Sequence, residues 1–346
     1  MVKRLTTVCL VILGLSGGAI FPAHGADPGD SFSPYVEPHP DGRIDWDNGR
    51  IDGVGKGYLH LNGGSKQKAY RAAQMMALQS ILKIAAGVRL DDRETLKTIG
   101  GGKVAIQLRG LIRYVELERR YVQNVDQPYF EVTRRAPIKG IDGLTARLLD
   151  HFQSKHIPWT GFPNPADPAE TGEDIETWLV LDARGEDLTP ALFPQVIDEG
   201  GGVLYKVDDV DRAALTERGM ARYVVSDLPA GQLGADRSRL EELIERVVFG
   251  IVGPSTAFAE DKPAGEDGKR RRRRRQYVVK DVKAAEGLTK TNLVISESDA
   301  RDLKKVNAAS KILKKCRVIV VVNSPLGGIE GTLTHRLFAE IAPKGP

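Results

Sequence analysis

Small and apolar side chains recur every 3.6 residues downstream of Ser65. Ala69, Ala72, Ala73, Met76, Ala77, Ser80 and Ile84 fall on one stripe, which predicts a helix capped by Ser65 and running to about Ala86. Just upstream, segments 44–46 and 50–61 read as two strands joined through Asp47-Asn48-Gly49, and Asn-Gly is a favoured pair for a tight primed turn. The period of two puts Gly53, Gly55 and Gly57 on one side of the second strand, with Val54, Lys56 and Tyr58 on the other. A glycine row on the strand and a small-residue stripe on the helix fit one explanation: the helix crosses the strand at close range. Further strands are expected at 104–108, 111–122 and 129–133. A helix over 144–153 follows the turn Gly140-Ile141-Asp142-Gly143. Helices on an antiparallel sheet make an α+β unit.

Pro158, Pro163, Pro165 and Pro168 then interrupt the pattern and mark a boundary. Beyond it, strands are expected at 178–182 and 223–225, a hairpin over 195–205 around Glu199-Gly200-Gly201-Gly202, and a helix over 209–218 stopped by Gly219. Segment 237–249 reads as helix, 277–282 and 293–295 as strands, and Ser298 as the cap of a helix through Lys314 that bends near Asn307. The run 317–322, apolar in every residue after Arg317, belongs in the centre of a sheet. The fold class is therefore α+β, an antiparallel sheet with a long packed helix, followed by a second, mixed α/β domain.

The first residues change the picture from fold to address. Lys3 and Arg4 precede an apolar stretch over 5–21, and Ala23-His24-Gly25 ends it with small residues, the order of a secretory signal peptide cleaved before Ala26. Cys9 lies inside the apolar run, so it leaves with the signal, and Cys316 is the one thiol of the mature chain, read as buried and inert. The expected organisation is a signal peptide over 1–25, an extended proline-rich tether over 26–41 and an α+β domain over 42–155. A proline-rich linker over 156–174, the second domain over 175–324 and a tail over 325–346 complete it. Within the second domain, 254–276 reads as a disordered basic insertion.

Of the 346 residues 41% are hydrophobic and 28% charged, too apolar for wholesale disorder. The net charge of +4 conceals seven cations in one run, Lys269, Arg270, Arg271, Arg272, Arg273, Arg274 and Arg275; taking these and Lys3 and Arg4 away leaves −5. An exported chain does not meet the genome, so nucleic acid is not the expected partner. The run instead suits anionic lipid or lipopolysaccharide phosphates, with salt-sensitive binding, or serves as a solvated loop paired with its own acidic neighbours. Asp182-Ala183-Arg184-Gly185 ends a strand, a place where α/β proteins bind ligands, and Asp182 and Arg184 are the candidates for such a turn; the plainer reading is a local turn held by those same side chains. Among the mature histidines only His151 and His156, at i and i+5, share a metal-ligand spacing, and zinc is not expected there; Gly53-Val54-Gly55-Lys56-Gly57 and Gly100-Gly101-Gly102-Lys103 lack the form of a phosphate loop. No catalytic residue, metal or cofactor is expected.

Three stretches carry a likeness: Ile44-Asp45-Trp46 with Gly53-Val54-Gly55-Lys56-Gly57, the helix Ala69-Tyr70-Arg71-Ala72-Ala73-Gln74-Met75-Met76-Ala77, and Tyr129-Phe130-Glu131-Val132. Over about residues 41–152 the chain resembles the LPP-twenty-type bacterial envelope lipoproteins and, more loosely, the N-terminal domain of the flagellar assembly protein T. The resemblance implies a non-enzymatic envelope protein whose partners are other envelope proteins, in some members at the outer-membrane ring of a flagellum. The chain departs from the lipoprotein pattern in lacking the acylated cysteine. Its second half, with Leu179-Val180-Leu181-Asp182-Ala183-Arg184-Gly185 and Asn292-Leu293-Val294-Ile295-Ser296 as marks, looks like an extension found in some secreted relatives.

Overall fold

The computed structural model describes residues 32–99, 110, 112–155, 163, 175–226 and 274–323. The expected signal peptide, the expected strand over 104–108, most of the expected linker, the expected helix over 237–249 and the expected tail lie outside them.

An α+β architecture is observed, with two sheets. The first is antiparallel, in the order β2 (Val36–His39), β3 (Gly42–Asp45), β4 (Arg50–Tyr58), β6 (Tyr129–Pro137) and β5 (Val115–Val122). Helix α1 (Lys66–Gly87) lies across it, started by the Ser65 hydroxyl, which accepts from the Lys68 amide at 3.4 Å. The glycine row faces α1 as the alternation requires. A Cβ at Gly53, Gly55 or Gly57 would run into the backbone of α1 at Ala77, Ala73 and Ala69 respectively. Those alanines are fully buried, so the helix and strand backbones meet with no side chain between them. Met76 departs from the expected stripe. Its side chain is exposed, and the buried row continues instead through Ser80, Ile81 and Ile84. The contact is so close that it has width only for the narrow row.

A short helical turn α2 (Leu96–Ile99) follows, and α3 (Leu144–Lys155) comes after β6. The second sheet is mixed. Its order is β1 (Phe32–Pro34), β10 (Arg222–Ser226), β13 (Val318–Val322), β7 (Ile175–Asp182), β11 (Arg274–Glu286), β12 (Asn292–Ile295), β8 (Val196–Asp198) and β9 (Val203–Tyr205). The apolar β13 runs parallel to both its neighbours, in the buried central place its composition implies. Helix α4 (Arg212–Arg218) stops at Gly219, where φ is +74°.

Several expectations are corrected. The tether over 26–41 does not extend through its later residues: β1 pairs with β10 in the second sheet, and β2 pairs with β3 in the first. Both strands lie at sheet edges, where a proline's missing N–H costs no ladder bond, so Pro34 and Pro38 are tolerated. The β3–β4 connection is not a two-residue primed turn. Asp45 pairs with Arg50, four residues intervene, and the Asp45 carboxylate accepts from both the amide and the side chain of Asn48. Ser296, not Ser298, caps α5 (Glu297–Ser310), accepting from the Asp299 amide at 3.1 Å. That helix ends where a bend was expected, at the left-handed Lys311, and the Asn307 side chain accepts from the Leu313 amide. Arg274 and Arg275 belong to β11 and not to a disordered insertion.

The two sheets share one apolar core, which joins Ile44, Trp46, Ile81 and Leu149 to Leu179, Tyr205, Tyr223 and Val320. The Trp46 ring meets the Tyr223 ring edge-on at 5.9 Å. The chain crosses between the sheets at Tyr35, whose amide donates to Tyr223 O and whose carbonyl accepts from Trp46 N. Across the same seam Arg222 Nε donates to Asp47 Oδ1 at 2.7 Å, and the Gly140 amide to Thr216 O.

Candidate functional site

Two clefts of 390 Å³ draw the ionisable groups together. The first opens at the seam and is lined by Asp47, Asn48, Lys139, Glu176, Trp178, Glu217, Arg218, Arg222 and Arg275. They come from six stretches of chain. The β3–β4 connection carries Asp47, the residues after β6 carry Lys139, and β7 carries Glu176 and Trp178. The end of α4 supplies Glu217 and Arg218, while β10 and β11 bring Arg222 and Arg275.

Lys139 is the most constrained of them. Its methylene stem runs between two left-handed glycines, one from each half of the chain. A Cβ at Gly49 would lie 2.5 Å from Lys139 Cγ, and one at Gly219 would lie 3.0 Å from Cε. Lys139 Nζ donates to the main-chain oxygen of Asp47 at 2.8 Å. Loss of water around the ammonium, with the Arg222 charge nearby, pulls its pKa down to about 8 against the opposing pull of Asp47. Asp47 is only 2% exposed; its Oδ1 accepts from Arg222, while its Oδ2 has no hydrogen-bond partner among the described residues. Glu176 is held between Arg275, at 3.2 Å, and Arg317, at 3.4 Å. None of this is legible in the sequence, where Asp47 reads as a turn residue and no pattern singles out Lys139.

The second cleft lies on the face of the first sheet that α1 leaves bare. It is lined by Gly42, Arg43, Asp52, Val54, Leu117, Glu118 and Thr133. Arg135 closes two bonds on Asp52, at 2.6 and 2.8 Å, and Arg43 adds a third at 3.0 Å. Burial works to raise the Asp52 pKa, but the two guanidinium groups outweigh it and hold the carboxyl below its ordinary value. The ladder between β5 and β6 slips between Glu116 and Glu118, a β-bulge. The bulge sets Leu117 and Glu118 side by side on the cleft wall, and Leu117 remains 42% exposed. At the far end of the same face Tyr58 packs on Tyr129 at 5.3 Å, and Lys56 lies over the Tyr129 ring.

The residues singled out from sequence fare differently. Asp182 and Arg184 close on each other: Nε donates to Oδ1 at 2.8 Å and Nη2 to Oδ2 at 2.7 Å, with side chains only 3% and 2% exposed. The Arg184 amide also donates to Oδ1, and Gly185 follows with φ at +92°. Both carboxylate oxygens of Asp182 are thus engaged by Arg184, the geometry of a locally held turn. Lys269, Arg270, Arg271, Arg272 and Arg273 lie outside the described residues. Arg274 pairs with Ile175 and Arg275 with Glu176 in the β7–β11 ladder, and Arg275 Nε donates to Glu176 Oε2 at 3.2 Å.

Cys316 is buried just before β13, and loss of water raises its pKa to about 12. At pH 8 its thiolate fraction is then on the order of 10⁻⁴. A soluble alkylating reagent is expected to leave Cys316 of the folded protein unmodified and to label it once denaturant is added, as mass spectrometry of the peptide that holds it reads directly.

Residues 178–243 and 250–324 match the family model described as Treponema pallidum Tp0624, second domain. The matched stretch begins within β7 and ends just past β13, so it supplies nearly all of the second sheet apart from β1. No curated protein matches the chain. No helix among the described residues is long and apolar enough to cross a membrane.

Proposed function

We propose that this protein is a non-enzymatic interaction module of the bacterial cell envelope, exported by its N-terminal segment, that docks a protein partner in envelope or outer-membrane assembly. The bare face of the first sheet carries this reading: a groove with a charged floor at Arg43, Asp52 and Arg135, and a bulge that holds Leu117 out into it. A half-exposed leucine beside oriented charges and a tyrosine pair offers the mix of apolar anchor and polar rim that protein interfaces use. The deep carboxylates support a binding role too. Asp52, Asp47, Glu176 and Asp182 are each paired with arginine, which fixes them in place. The likeness of residues 41–152 to envelope lipoproteins agrees with the setting, and so does the leader-like start of the chain.

A photo-crosslinking residue placed at Leu117 tests the reading in intact cells. It is expected to yield one discrete adduct in the envelope fraction. The same residue at Leu288, exposed but on a loop of the second half, is expected to yield none. Equal labelling from both positions, or no adduct from Leu117, would count against docking at this face.

A further inference from the structure

One face of α1 stays open to solvent along its length. Lys68, Arg71, Met75, Met76, Gln79 and Lys83 are all exposed, and at 3.6 residues per turn they share an arc of about 140°. The 22 residues of α1 include Lys66, Lys68, Arg71 and Lys83 and no carboxylate. Two of these cations stand in the first turn, the end where a helix's own dipole disfavours positive charge. Lys66 lies over the Tyr121 ring, 4.8 Å from its centre. Among the described residues Lys68 and Arg71 have no ion-pair partner, and Lys83 reaches only the exposed Asp41, at 3.8 Å. Bare apolar side chains stand beside these charges. Met75 is 55% exposed and Met76 47%, and Leu61, in the turn His60–Asn62 just ahead of the helix, is 73% exposed. Unpaired cations interleaved with flexible apolar side chains make a surface that anionic lipid complements in both respects. We infer that the outer face of α1, together with Leu61, is a contact surface for an anionic lipid bilayer.

Each part of the face has its counterpart in a lipid surface. Lys68, Arg71 and Lys83 meet headgroup phosphates, while Met75, Met76 and Leu61 enter the boundary between headgroups and acyl chains. From Lys68 to Lys83 the cations spread over about 22 Å of helix, which suits a surface with phosphates at every point more than a partner with charges at fixed places. Two of the three are lysines, a residue that protein interfaces deplete. The nearby carboxylate of Glu116 does not neutralise the face. It is turned to the flank of α1, where Tyr70 donates to it at 2.6 Å and Gln74 at 2.9 Å. The face is also presented rigidly, because Ala69, Ala73 and Ala77 seat the helix backbone on Gly57, Gly55 and Gly53, so little order remains to be imposed on binding. The bare face lies on the other side of the same sheet. A lipid-bound α1 therefore leaves that face open, and the inference does not rest on docking there.

Sedimentation with vesicles tests it on the mature chain beginning at Ala26. Vesicles containing about one-third phosphatidylglycerol are expected to bind the protein at least about tenfold more tightly than phosphatidylcholine alone, and added salt should weaken that binding. Lys68→Gln, Arg71→Gln and Lys83→Gln together are expected to weaken it at least about tenfold with an unchanged far-ultraviolet spectrum. Arg301→Gln, Lys304→Gln and Lys305→Gln remove the same charge from exposed positions of α5 and are expected to change it less than about twofold. A nitrobenzoxadiazole dye on Met75→Cys, with Cys316 closed to the reagent, is expected to shift its emission to the blue on the anionic vesicles. The same dye on Leu117→Cys is expected not to shift. The dye comparison stands even if the triple variant misfolds. Undiminished binding by the folded α1 variant would place the affinity elsewhere, as on the run 269–275, and overturn the inference. So would an equal loss in the α5 variant, or a Met75→Cys dye that shifts no more than the one on Leu117→Cys. Binding of polyglutamate as tight as that of the vesicles would point instead to an acidic protein partner, and would overturn it too.

Discussion

Gly55→Ala is expected to destabilise the protein by about 3 kcal/mol or more, and in practice to prevent folding of the first sheet against its helix. The added methyl would fall well inside contact distance of Ala77 N and Ala73 O, and 2.8 Å from the carbonyl carbon of Met76. All three are backbone atoms of α1, so relief requires the whole helix to move away from β4. That movement would open the buried alanine row and strip Ser80 of its bond to Val54 O, now 2.9 Å long. Gly87→Ala provides the contrast. Gly87 ends α1 with no heavy atom within 4 Å of the place a Cβ would take. There the substitution is expected to be neutral or to stabilise by up to about 1 kcal/mol, because alanine loses less freedom in a helix. Urea unfolding followed by circular dichroism separates the two; a Gly55→Ala protein as stable as the parent would mean that the helix does not lie against the strand.

Asp182→Ala is expected to cost about 3–5 kcal/mol, since it leaves the Arg184 guanidinium buried without its carboxylate. The double variant Asp182→Leu with Arg184→Met should recover a large part of that loss by filling the same space with apolar groups. The pair is nearly closed to water, which makes this reversal a sharp test of its role. A ligand-binding turn would behave otherwise. Asp182→Ala would then remove binding while leaving the urea midpoint in place, and the double variant would rescue nothing.

The local elements were open to reading because their causes are local. Ser65 caps α1, the alternation of β4 aims its glycines at that helix, and Gly219 ends α4, all within a few residues of the pattern that announces them. Where two neighbouring residues could do one task, sequence alone did not choose. Ser296 and Ser298 are both able to cap α5, and their hydroxyls lie 2.9 Å apart; β12 decides the matter by ending at Ile295. The proline-rich start misled for a related reason. Pro34 and Pro38 signal extended chain in isolation, and only the presence of two open sheet edges turns that chain into β1 and β2.

What the amino-acid order determined unaided is the class of fold, the close seat of a long helix on a glycine-lined strand, and the central place of the apolar β13. Periodicity and side-chain size act over one or two turns or a single strand, so they are written where they operate. What the tertiary structure alone decided is which charges meet: Asp47 with Arg222, Glu176 with Arg275 and Arg317, and Lys139 between Gly49 and Gly219. Those partners stand far apart along the chain, and no spacing rule links them. Electrostatics depends on distance in space, and that distance exists only after both sheets have closed on a shared core.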